Sequence, residues 1–436
     1  MKAAVFHGPN QPLTIEQVDI DEPQDHEVLV RTAATGVCHS DLHFVEGLYP
    51  QTAPAVLGHE AACIVEKVGR SVTYLKAGDH VISCPSVFCG YCEECMSGHP
   101  NRCSNRQATQ RPRDGKPRLS QNGKPVRQFS DLSTYAEKML VHENALVKII
   151  DEMPLDRAAL IGCGVTTGVG AVLNTAKIEP GCTVAVFGCG GVGISAIQGA
   201  KIGGARRIIA VDQFENKLAM AKRFGATDTI DASHSDALKE IRTMTNGGVD
   251  YAFEAVGLKK LAEQCFDATK VGGTAVIIGM IPVGQKVEID GPRLLTERTL
   301  KGSMMGSNRF RIDMPRYIDF YLQGRLNLDD MVSKRAKLEN INEAFASMKR
   351  GEVARKVLTP GEYRPVSDCP AYHHAAPHPP VQLHAHPAFG VSHGGADRAG
   401  VAAARNPPAP GRHGHRQARA VPAGARNRPP PPGDLG

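Results

Sequence analysis

No stretch of the 436-residue sequence approaches the ~20 consecutive apolar residues of a membrane-spanning helix. The N-terminal MKAAVFHGPNQP has neither the long apolar run nor the small-residue cleavage site of a secretory signal, so none is expected. No basic cluster carries a nucleic-acid motif, and a net charge of +6 is modest for this length. Neither a membrane nor a nucleic acid is therefore an expected partner. Repeats of solenoid period are also missing. The poorest region is the last one. From Gly361 to Gly436 there is no Ile, Lys, Met or Thr, while 14 of the chain's 30 prolines and 8 of its 17 histidines fall there. Such a composition cannot build a core, so 361–436 is expected to be a disordered tail. Its histidines keep no fixed spacing, which favours a solvated or non-native extension over a metal site. Eight Arg against four acids give it a net +4, leaving +2 for the first 360 residues.

What remains is ordinary for a soluble globular protein, at 42% hydrophobic and 22% charged, and long enough for two or three domains. Residues 1–160 mix short β-type runs (EVLVRTAATGV, AACIVEKVG, HVISC) with Gly and Pro turns, which predicts an irregular β-rich domain. Residues 161–305 hold apolar runs (VAVFG, RIIAVD, VDYAFEAVG, TAVIIGM) with amphipathic stretches such as QFENKLAMAKRFG between them. That alternation predicts βαβ units and a doubly wound parallel sheet, hence an α/β chain. Residues 306–360 pattern as helices (PRYIDFYLQG, INEAFASMKRG) ending in a short strand, RKVLT.

Within the second region, Gly188, Gly190 and Gly193 form GxGxxG between a predicted strand and a predicted helix. Asp212 closes the next strand, about 20 residues on, which completes the context of a dinucleotide fingerprint. Gly188 allows the tight turn, Gly190 lets the backbone approach a pyrophosphate, and Gly193 allows close helix–strand packing. The helix N-terminus then faces the phosphates. Asp212 would accept hydrogen bonds from the adenosine ribose and repel a 2′-phosphate, which favours NAD over NADP. Its bland alternative is a strand-end cap. Residue 213 is Gln, not a base.

Twelve cysteines without a secretory signal argue against a disulfide framework and for a reducing compartment, by default the cytoplasm. Four of them, Cys89, Cys92, Cys95 and Cys103, share one short loop. Four thiolates so close match a closed tetrahedral zinc site of structural type, with an iron–sulfur cluster as the chemical alternative. Cys38, His59 and Cys163 are dispersed, and spacing alone leaves them as buried thiols and a core histidine.

Taken together, GVCHSDLH, LGHE, GDHV, CGYCEECMSGHPNRC, IGCGVTTG and VFGCGGVG resemble the zinc-containing medium-chain alcohol dehydrogenases over residues 1 to about 360. They are most similar to the branch of animal-type and glutathione-dependent formaldehyde dehydrogenases. The resemblance implies a GroES-like catalytic domain beside a Rossmann-type coenzyme domain. It implies that Cys38, His59 and Cys163 hold a catalytic zinc whose open position takes the alcohol oxygen. Ser40 would then bond that oxygen and start a proton relay through a ribose hydroxyl to His43. Asp41 and Glu60, next to ligands, would orient and tune them. His39 stands where many relatives carry an Arg that touches the pyrophosphate. Thr167 would lie against the nicotinamide, Lys217 near the adenosine ribose, and Arg355 at the pyrophosphate. For Lys217 and Arg355 a plain surface charge is the alternative.

Some residues depart from the glutathione-dependent pattern. The first loop, EGLYPQTAP, has Glu46 as its only acid, and the base after Cys103, Arg106, comes one place early. The long polar stretch from Ser104 to Asp131 matches the dimeric members. The expectation is therefore an NAD-dependent zinc enzyme, a homodimer, acting on primary or aromatic alcohols and the corresponding aldehydes. Glutathione-dependent formaldehyde oxidation is the second reading. A non-catalytic binding relative is the third, and retention of all three ligands with Ser40 and His43 argues against it.

Overall fold

The computed structural model describes residues 1–350 and 355–360, within the compact unit Met1–Pro377. The expected tail, 361–436, lies outside the described residues.

Six parallel strands form one sheet: β1 (Thr183–Phe187), β2 (Arg207–Asp212), β3 (Asp228–Asp231), β4 (Val249–Glu254), β5 (Thr269–Ile277) and β6 (Thr299–Gly302). Their spatial order is β3-β2-β1-β4-β5-β6, so the chain reverses its direction of travel between β1 and β4. In open α/β sheets that switch point is where a crevice opens beyond the strand ends. β1 is buried at every residue, as a central strand covered on both faces must be. Helices Gly191–Ile202 and Glu215–Phe224 connect β1 to β2 and β2 to β3.

The N-terminal region is mostly antiparallel, with one short parallel pair between Ala55–Val56 and Arg127–Gln128. Strand Glu27–Gly36 pairs with Ala61–Val68 and Lys138–His142. Strand Arg355–Thr359 returns to the same sheet, with Val357 opposite Gly36 and Leu358 opposite Thr35. This return carries Arg355 beside Val37 and Cys38, far away in sequence.

A helical run, Leu155–Ala176, packs between the two sheets. By length and composition alone it is long and apolar enough to cross a membrane, although Asp156, Arg157, Asn174 and several Gly and Thr residues break its apolar sequence. Its most apolar window is 83% buried inside the protein, as in the core helix of a globular domain. Two stretches, Ile161–Val165 and Ala171–Ala176, are wound as wide π-type turns. Such turns recur at functional sites, and Cys163 lies in the first.

Candidate active site and zinc sites

Cys89, Cys92, Cys95 and Cys103 place their four sulfurs within 4.8 Å of one another. Cys92 Sγ is 3.4 Å from Cys95 Sγ and 3.8 Å from Cys103 Sγ. Tetrahedral sulfurs about 2.3 Å from a zinc ion lie about 3.8 Å apart, so the loop fits that ion. Backbone N–H groups of Cys89 and Cys92 donate to the sulfurs of Cys103 and Cys89, each at 3.3 Å, as thiolates require. Every cysteine among the described residues is a free thiol.

The dispersed trio also converges. Cys38 caps the start of helix His39–Val45, His59 precedes strand Ala61–Val68, and Cys163 sits in the first π-type turn. Their donor atoms lie within 4.8 Å of one another, and His59 Nε2 is 3.1 Å from Cys163 Sγ. His59 Nδ1 meets Asp41 Oδ1 at 2.9 Å, which fixes the tautomer and leaves Nε2 free for a metal. Burial opposes a charge on His59, yet the fully buried Asp41 carboxylate overcomes it and holds the imidazole above its ordinary value. A hydrogen bond from Cys163, helped by the Arg355 guanidinium, holds the Cys38 thiol well below its ordinary value. Three donors of this kind, with no fourth protein ligand among the described residues, suit a zinc ion with one open position.

All three donors line a cavity of about 570 Å³. Ser40 is on its wall, with Oγ 3.7 Å from Cys38 Sγ. His43 is there too, its Nδ1 buried without a protein partner. The His43 ring stacks on Tyr49 at 6.2 Å between centroids. His39 lines the same space, and burial pushes its pKa down. Thr167 reaches the cavity and points its hydroxyl at Met305 Sδ, 3.5 Å away.

The glycine turn borders the opposite side. Gly188 has φ +94°, and a Cβ at Gly193 would lie 1.8 Å from the Gly188 carbonyl oxygen, so neither position tolerates a side chain. Gly190 faces open space and starts helix Gly191–Ile202 with no side-chain cap, which leaves the first helical N–H groups for an anion. Asp212 accepts from the backbone N–H groups of Cys189 and Gln213, both at 2.8 Å, and of Phe214 at 3.1 Å. It is thus both a strand-end cap and a carboxylate on the cavity wall. Lys217 shares that wall, its ammonium 4.7 Å from the Phe214 ring centroid.

Arg355 is not a surface charge. It is 4% exposed and lies 3.3 Å from Glu60 Oε2, and it donates to the Val37 carbonyl at 3.2 Å. Its Nε has no protein partner and would collide with a Cβ at Gly191. The guanidinium therefore joins the cysteine–histidine trio to the helix N-terminus. Burial pushes the Glu60 carboxyl up to about 7, against the pull of Arg355.

Sequence reasoning missed Tyr135. Its hydroxyl donates to Asp41 Oδ2 at 2.6 Å from a fully buried position. A single tyrosine in STYAEK, just before the strand Lys138–His142, carries no periodicity or spacing that could reveal it. Missed as well was the apolar wall of Phe44, Phe129, Met280, Met304 and Met348, which comes from both sheet regions. Gly193 packs behind the turn, and the four-cysteine loop is not part of the cavity lining.

Two family models match: the alcohol dehydrogenase GroES-like domain over residues 24–151 and the zinc-binding dehydrogenase over residues 191–323. An alcohol dehydrogenase class-3 from Myxine glutinosa is 40% identical over 364 residues, covering 82% of this chain and 97% of that protein. An alcohol dehydrogenase zinc-binding domain protein from Burkholderia ambifaria superposes with a TM-score of 0.79 at 39% identity, over 82% of this chain and 98% of that one. The benzyl alcohol dehydrogenase of Acinetobacter calcoaceticus gives a TM-score of 0.78 at 33% identity, with the same coverage. Domain models, sequence identity and superposition agree, and the chain belongs to the zinc-containing medium-chain alcohol dehydrogenases, oxidoreductases whose cofactors are zinc and NAD.

Proposed function

We propose that this alcohol dehydrogenase oxidises a primary or aromatic alcohol to the aldehyde, reversibly, by hydride transfer to NAD. One observation carries the reading: Ser40, the Cys38–His59–Cys163 donors, the Gly188–Gly190 turn and Asp212 face one cavity. When bound, zinc supplies Lewis acidity toward the alcohol oxygen, and NAD accepts the hydride. The chain's own groups do the rest. Ser40 Oγ lies beside the donor set, where it takes the proton of the reacting hydroxyl. His43 passes that proton toward solvent. Asp41 keeps His59 in the ligating tautomer. Arg355 and the N-terminal N–H groups of helix Gly191–Ile202 face the anionic pyrophosphate, and Lys217 and Asp212 the adenosine ribose. Thr167 and His39 flank the coenzyme, and Glu60 balances Arg355. Residues 1–160 with 306–360 make up the catalytic part and 161–305 the coenzyme part, a division supported by the return of Arg355–Thr359 to the strand Glu27–Gly36.

The apolar wall of Phe44, Phe129 and three methionines suits an aromatic alcohol, since thioethers and ring edges adapt to ring faces. The class-3 name of the curated relatives favours a second reading, oxidation of the glutathione adduct of formaldehyde. Against it, the base at the cavity is already matched: Arg106 Nε meets Asp131 Oδ2 at 2.9 Å, and Nη2 donates to the Ser130 carbonyl at 3.0 Å. NADH formation with benzyl alcohol beside formaldehyde plus glutathione separates the two. The first reading expects turnover of benzyl alcohol and no requirement for glutathione.

A homodimer is supported by the sheet edge. Among the described residues β6 has no neighbour on its outer side, and exposed Leu294, Leu295 and Val283 accompany it. A cytoplasmic location is supported by the free thiols.

A further inference from the structure

The four-cysteine loop does more than hold itself together. Asn101 lies inside it, between Cys95 and Cys103, and is 5% exposed although the loop's surroundings are open. Its side-chain amide reaches out of the loop and donates to the Met304 carbonyl at 3.2 Å, across 203 residues of sequence. Met304 and Met305 line the cavity.

The segment that receives this bond is strained. Met305 and Ser307 have φ values of +51° and +47°, in the left-handed region that side chains disfavour, on either side of Gly306 at +67°. Backbone of that kind persists only where surrounding contacts over-determine it. Part of that support is close packing of Gly306 against Thr166 and Gly170 of the helical run, with Asn174 donating to the Gly306 carbonyl at 3.3 Å, and part is a set of further hydrogen bonds. The Met304 carbonyl accepts from Ser307 N–H at 3.0 Å, which closes the turn, and from Asn101, which ties the turn to the loop. Asn308 donates to the Met305 carbonyl at 2.8 Å and to Ser86 Oγ at 2.9 Å. Thr175 bonds the hydroxyl of Ser307 at 2.7 Å. Of these, only Asn101 connects the turn to the cysteine loop.

We infer that Asn101 is a positioning residue, through which the zinc-binding loop sets the place of the Met304–Met305 wall and so the fit of the alcohol. The inference rests on the reading of this cavity as the alcohol pocket. It makes the loop a determinant of substrate fit as well as of stability. Asn101 touches neither the reacting atoms nor the sulfurs, so its loss should alter how the pocket holds substrate and leave the chemical step alone.

The test uses the full-length zinc-loaded enzyme and two variants, Asn101→Ala and the isosteric Asn101→Asp, which retains the shape but has no N–H to give. Zinc content, hydrogen exchange of the peptide spanning 303–309, and KM and kcat for benzyl alcohol are measured together. Losing one neutral hydrogen bond corresponds to about a three- to tenfold change, so that peptide should exchange faster and KM rise by such a factor, with kcat within about twofold. Zinc should stay at two ions per chain. Wild-type exchange at 303–309 with unchanged KM in both variants would overturn the inference. So would a loss of zinc with that peptide still exchanging as in wild type, since Asn101 would then serve the loop alone. If wild type leaves benzyl alcohol untouched, the pocket reading fails, and the exchange of 303–309 still decides whether Asn101 holds the turn.

Discussion

The Tyr135 hydroxyl donates to Asp41 Oδ2 over 2.6 Å, both groups fully shielded from solvent. The other oxygen of that carboxylate holds His59 Nδ1. Tyr135 thus steers, through Asp41, the imidazole that would hold the catalytic zinc. Tyr135→Phe and Asp41→Asn should each weaken zinc at the catalytic site by about 10–100-fold, the usual effect of removing an outer partner of a ligating histidine. Asp41→Asn should do more, since Tyr135→Phe leaves the carboxylate in place. Competition with a chelator, following release of each zinc, checks this. Equal retention in both variants and wild type would remove the role assigned to Asp41.

Asp212 is held in place by three backbone N–H groups, so its charge stays at the cavity wall. Asp212→Ala should narrow the preference for NAD by removing both the ribose hydrogen bonds and the repulsion of a 2′-phosphate. The ratio of kcat/KM for the two coenzymes measures it. Efficient NADP use by wild type would show that Asp212 serves only as a cap.

The two local motifs were readable because each is complete within one stretch of chain. The four sulfurs lie on one loop, and Gly188, Gly190 and Gly193 need only the strand before and the helix after. Cys163 and His59 stand 104 residues apart, and no periodicity joins them. Only the family resemblance linked them with Cys38, and the fold shows why: one is on a strand-end loop, the other in a π-type turn. Arg355 was ambiguous for the same reason. A lone basic residue in ARKVL looks like surface until the strand it begins pairs with Glu27–Gly36. Asn101 and Tyr135 had no sequence signal, since a single polar side chain reveals its partner only when distant elements meet.

His142 offers a pH test of the fold. Its Nδ1 accepts the Asn144 N–H at 3.0 Å, and burial, with Arg118 and Arg311 nearby, pushes its pKa from 6.5 down to about 4. Between those values the unfolded chain binds the extra proton, so stability is present above about 6.5 and lost as pH falls toward about 4. His142→Asn retains an acceptor but cannot titrate. Its Tm should fall less than that of wild type across that window, and parallel curves would contradict the assignment.

Ser40→Ala should retain both zinc ions and lose the hydroxyl beside the donor set. Positioned proton transfer typically contributes about 10²–10⁴-fold, so kcat should drop within that range while NAD affinity stays close to wild type. His43→Gln should cost less, and high concentrations of buffer base should restore part of its rate. Full activity in Ser40→Ala with two zinc ions bound would move the relay to another hydroxyl, and Thr167, also on the cavity wall, would be tested next.

The central claim is that the Cys38–His59–Cys163 site and the dinucleotide turn serve one alcohol oxidation. The direct measurement is the rate of NADH formation from NAD and benzyl alcohol in three preparations: zinc-loaded, stripped by a chelator, and reloaded. NADH should form in the first, vanish in the second and return in the third. NADH formation that persists in fully zinc-free protein, or its absence from two-zinc protein across a panel of primary and aromatic alcohols, would contradict the account.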